Sequence, residues 1–186
     1  MLNDRPDTFI WPADFACTII DENVILPNHY NLKIYIEPTL PVTENFGIGF
    51  QKLKHIIFDC LNNSVLINKN NTLLPALSSI DTNIVHLPAE PYDFYVGATL
   101  FSKFISITKK YFTIYQISID SAIGDRVQYT MSDPWESGLD FDGDFWWNHD
   151  TLDTGSNNTT TWDKLNLSEG PRFQPTVIKG GKSENQ

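Results

Sequence analysis

Two apolar periodicities that no single element can satisfy divide this chain. From Tyr30 to Glu37, Leu32, Ile34 and Ile36 alternate with Asn31, Lys33 and Tyr35. A period of two turns one face of a strand toward a core, and Pro38 and Pro41 stop it. From Asn45 to Asn62 the apolar residues Phe46, Phe50, Leu53, Ile57, Cys60 and Leu61 recur instead at helical spacing. A second helical stripe, Phe94, Ala98, Phe101, Phe104, Ile105 and Thr108, predicts a helix from Pro91 to Tyr111. Pro91 and Asp93 suit its first turn, and Lys109 and Lys110 its last. A chain carrying both periods must lay helices against a sheet.

The remaining segments fit that scheme. Val65-Leu66-Ile67 and Ile84-Val85-His86-Leu87 read as short strands. Tyr115, Ile117 and Ile119, then Val127, Tyr129 and Met131, alternate as the two arms of a hairpin. Residues 121–125 form its turn, with Gly124 free to take positive φ. Residues 1–27, punctuated by Pro6, Pro12 and Pro27, read as irregular, with one or two edge strands or a strap over the core. Gly47 and Gly49 either weaken the first helix, at about 1 kcal/mol each against alanine, or permit close backbone packing. The expected architecture is α+β: two helices packed on one face of a mostly antiparallel sheet. At 186 residues the chain suits one core. Residues 1–153 are read as a single domain. Residues 154–186, opening on Gly155-Ser156-Asn157-Asn158, are read as a flexible polar tail, too poor in apolar side chains to offset ordering entropy.

A net charge of −10 argues against a phosphate backbone as partner, because such binding rewards clustered Lys and Arg. No direct nucleic-acid binding is expected. An acidic surface can meet a basic protein patch, and it also keeps a protein soluble; a protein partner is expected. The N-terminal residues lack a basic stretch followed by an apolar run, and no segment has the length of a membrane span, so a cytoplasmic protein without membrane contact is expected. Cys17 and Cys60 sit among apolar neighbours and read as reduced core thiols.

Beyond Pro134 the character changes. Asp140, Asp142 and Asp144 alternate around Phe141 and Gly143, and hard cations favour several carboxylate oxygens. The calcium-loop pattern fails, because the glycine precedes the third acid and Thr151 stands where the terminal Glu belongs. No cofactor is expected, and a divalent metal on these three aspartates is the alternative. Trp135, Trp146 and Trp147 lie among these acids. Exposed tryptophans of this kind anchor protein interfaces; otherwise they close the edge of the core as a lid. His149-Asp150 lacks the further ligands of a metal site. Cys60 and His55 could meet only in space, and Cys60 lies on the apolar stripe where a thiol is inert. Gly47-Ile48-Gly49 and Gly181-Lys182-Ser183 each match only part of a phosphate loop.

These features favour a non-enzymatic protein-binding or accessory module. Its acidic-aromatic surface would be Trp135, Asp140, Asp142, Asp144, Trp146 and Trp147. The small size and asparagine-rich loops suit an accessory protein of a virus or mobile element. A metal-dependent hydrolase using the three aspartates, and a structural subunit of a larger assembly or homo-oligomer, are the alternatives.

Overall fold

A computed structural model describes residues 8–38, 44–77, 79, 82–139 and 145–154. The fold is α+β, built on one mixed six-stranded sheet. In chain order the elements are β1 (Phe9–Asp21), β2 (Val24–Pro38), α1 (Glu44–Lys54), a π-helical segment (His55–Leu61) and β3 (Ser64–Asn68). The one-turn α2 (Leu74–Leu77), β4 (Ile84–Leu87), α3 (Asp93–Thr108), β5 (Phe112–Ser121) and β6 (Tyr129–Met131) follow. Two 3₁₀ turns, Pro134–Ser137 and Trp146–Asn148, close the described chain.

The strand order is β4-β3-β1-β2-β5-β6. Pairings β1–β2, β2–β5 and β5–β6 are antiparallel, whereas β1–β3 and β3–β4 are parallel. The β3–β4 crossover contains α2, since parallel neighbours cannot be joined by a tight turn.

The segment expected to be irregular is the largest correction. β1 is a 13-residue strand paired along its whole length with β2. Its alternation is intact: Ala13, Phe15, Cys17 and Ile19 are buried, while Pro12, Asp14 and Ala16 are exposed. Pro12 is tolerated because β3 pairs only with Cys17–Ile20, leaving the earlier half of β1 with a neighbour on one side.

The first helical stripe folds as expected through Lys54 and then loosens to π winding. Asn62 N donates to Ile57 O at 3.1 Å, an i→i+5 bond. The rings of α1 pack on β1 and β5, with Phe50 4.7 Å from Trp11 and Phe46 5.0 Å from Phe112. Gly49 is one of the positions where the absence of a side chain matters. A Cβ there would meet Phe112 Cε1 at 2.6 Å, while one at Gly47 would meet nothing. α3 is buried nearly all round, including Val96, Leu100, Phe101, Phe104 and Ile107.

The β5–β6 connection also departs from expectation. Positive φ falls on Asp125 and Arg126, not on Gly124. Gly124 is needed for space instead, because a Cβ there would collide with the Asp93 carboxylate. Asp93 opens α3, is buried, and accepts a hydrogen bond from Ser121 Oγ at 2.7 Å. Burial holds its carboxyl above the usual carboxylate range.

Candidate functional site

The acidic-aromatic stretch divides in two. Trp135 stays on the surface, 52% exposed, in a 3₁₀ turn capped by its flanking residues. Asp133 Oδ1 accepts from Trp135 N at 2.9 Å, Pro134 starts the turn, and Gly138 ends it with φ of 68°. Val127 and Tyr129, just before it in sequence, are exposed as well.

Trp146 and Trp147 are buried, at 6% and 1% exposure. This corrects their assignment as exposed anchors and matches the alternative of a lid on the core. Trp147 stacks on Phe145 with centroids 4.7 Å apart, and Trp146 Nε1 donates to His86 O of β4 at 2.7 Å. Asp140, Asp142 and Asp144 lie outside the described residues. Among the described residues no three His, Cys, Asp or Glu side chains group as a metal site.

What holds the tryptophan segment is a polar row on α3. Lys103 is fully buried, and its Nζ donates to Trp146 O at 2.6 Å, His149 O at 3.1 Å and Thr151 O at 2.6 Å. Three carbonyls thus take up the three N–H bonds of one ammonium. Ser106 Oγ, which is close to a turn further along, donates to Trp147 O at 3.3 Å, and Ser102 Oγ reaches the same carbonyl at 3.3 Å. Lys110 pairs with Asp150 at 3.0 Å on the surface. Burial pushes the Lys103 ammonium down to about 8. The sequence offered one sign of this, a lysine beside Phe104 in an otherwise greasy helix, but its acceptors lie more than forty positions later.

A second group of sequence candidates does come together. Cys60 Sγ lies 3.6 Å from His55 Nε2, and His55 Nδ1 lies 2.7 Å from Asp59 Oδ2. Helical spacing pairs His55 with Asp59, four positions on, but not with Cys60. At about 3.6 residues per turn an α-helix carries the residue five positions on well off the line of the first, whereas i→i+5 winding returns it.

No protein-family model matches this chain, and the curated proteins contain no match to it. The functional reading therefore rests on this geometry alone. No helix among the described residues is long and apolar enough to cross a membrane.

Proposed function

We propose that this chain is a non-enzymatic protein-binding module that docks a basic protein surface through an acidic-aromatic patch centred on Trp135. The observation that carries the reading is the exposed indole of Trp135 on a turn capped at both ends. A large apolar ring presented on a rigid support loses little entropy on binding, which is why tryptophan dominates interface hot spots. The net charge of −10 favours a cationic partner and speeds its approach.

The test is capture of partners from a lysate of the source organism, by the wild-type chain and by Trp135→Ala and Trp135→Phe. A protein retained by wild type and Trp135→Phe, lost with Trp135→Ala, and released as salt rises supports the proposal. Equal retention by all three forms removes Trp135 from the interface and the proposal with it. Sedimentation of the pure chain separates a foreign partner from a second copy of the same chain.

A further inference from the structure

The two thiols of this protein form a natural matched pair. Cys17 is 6% exposed and Cys60 7%, both are unbridged, and burial pushes both up to about 12. They differ in what stands beside the sulfur. Cys60 Sγ has His55 Nε2 at 3.6 Å, whereas for Cys17 burial is the sole cause of its shift.

Asp59 orients the histidine. With its carboxylate 2.7 Å from Nδ1, that nitrogen carries the proton, and Nε2 presents its lone pair to the thiol. The result is a nucleophile, a base and an orienting carboxylate in sequence, the arrangement that activates weak nucleophiles in general. All three come from one π-helical turn, and such turns recur at functional sites. Three charged groups reach the sulfur: the Asp59 carboxylate opposes the thiolate most, Lys103 from α3 favours it, and Asp153 from the C-terminal segment opposes it. What Asp59 contributes is therefore the orientation of His55 and not charge stabilisation of the sulfur.

We infer that Cys60 is a selectively reactive thiol, oxidised by hydrogen peroxide to the sulfenic acid with His55 as base and Asp59 as positioning residue. In that step the thiol proton passes to His55 Nε2 and the sulfur attacks one peroxide oxygen. The O–O bond breaks, the sulfur gains oxygen and loses two electrons, and the departing hydroxide takes the proton from the imidazolium to leave as water. Among the described residues no such relay stands beside Cys17. The inference is independent of the Trp135 surface, which lies on a different part of the chain.

The experiment exposes the folded full chain to hydrogen peroxide, traps sulfenic acid with dimedone and reads each cysteine by mass spectrometry. Cys60 should label faster than Cys17 by about tenfold or more, a threshold set below the roughly 100- to 10,000-fold that a positioned base supplies. Asp59→Asn changes an exposed side chain and keeps the fold, and it should cut the Cys60 rate several-fold while leaving Cys17 unchanged. His55→Gln should bring the two rates together. Equal rates in the wild-type chain, or a Cys60 preference that survives Asp59→Asn unchanged, overturn the inference. The Asp59 variant keeps the test decisive if the buried His55 variant fails to fold.

Discussion

Lys103 Nζ donates to the Trp146 carbonyl at 2.6 Å from inside the protein, where Lys103 has no exposed surface. The same ammonium lies 5.4 Å from the centroid of the Trp146 ring, close enough for a cation–π contact. One side chain of α3 therefore holds both backbone and ring of a residue more than forty positions later. An isolated buried charge is very costly. Here the cost is offset because every donor finds a carbonyl.

Lys103→Met tests that balance. Methionine keeps most of the stem's volume and removes the donor, so the Trp146, His149 and Thr151 carbonyls lose the ammonium, Trp146 O keeping the His149 N–H. Hydrogen bonds to a charged group contribute about 1.5–3 kcal/mol, and unpaired buried carbonyls add to the loss. The variant should lose on the order of 3 kcal/mol in urea unfolding, and tryptophan fluorescence should report early release of the 146–151 segment. A variant as stable as wild type would mean that the ammonium merely fills space.

The same residue gives a signed pH dependence. Its folded value is lowered from 10.5 to about 8. Between those two values the unfolded chain binds a proton that the folded chain does not, so the Lys103 contribution to stability rises with pH across that window. Cys17 and Cys60 act oppositely, because values raised from 9.0 to about 12 give stability that is present below 9 and lost as pH climbs. Subtracting Lys103→Met from wild type cancels Cys17, and in a Cys60→Ala background, which removes the thiol that Lys103 itself acts on, it isolates the lysine. That difference, followed by urea unfolding from neutral pH upward, should move in favour of wild type between about pH 8 and 10.5. A difference that moves the other way contradicts the assignment.

The parts of the fold governed by local periodicity were legible. The stripes of α1 and α3, the alternation of Leu32, Ile34 and Ile36, and the short strands β3 and β4 all lie where their spacing predicts. β1 was equally periodic, but Pro12 reads as a breaker until the strand's one-sided pairing is known. The π winding of His55–Leu61 is invisible to spacing, because a stripe at intervals of three and four suits an α-helix as well. For Trp146 and Trp147, acidic neighbours pointed to the surface. Their burial depends on Lys103, and no local pattern encodes a lysine that caps distant carbonyls. Trp135, by contrast, sits in a turn built wholly from its neighbours Asp133, Pro134 and Gly138.

The two kinds of tryptophan should separate in stability. Trp147 is buried against Phe145 and Trp146, so Trp147→Ala should cost about 3–5 kcal/mol by urea unfolding. Trp135→Ala should stay within about 0.5 kcal/mol of wild type, as surface substitutions generally do. That margin makes Trp135→Ala a clean reagent for partner capture. Should Trp135→Ala also unfold the chain, its indole belongs to the structural frame and the interface reading loses its anchor.

Gly47 and Gly49 stand two positions apart on α1, and the same substitution should move stability in opposite directions. At Gly47 an added Cβ meets nothing, so Gly47→Ala should stabilise by about 0.5–1 kcal/mol through helix propensity alone. At Gly49 the added Cβ would lie 2.6 Å from Phe112 Cε1 and 2.8 Å from Tyr111 Cβ. The Phe112 ring cannot yield freely, since it is itself buried and packed on Phe46 and Phe50. Overpacking typically costs about 1–3 kcal/mol, which outweighs a propensity gain of about 1 kcal/mol. Thermal unfolding should therefore raise Tm for Gly47→Ala and lower it for Gly49→Ala. Two increases would show that α1 can shift away from β5, and the close approach of helix and sheet at Gly49 would then not be a fixed feature of the core.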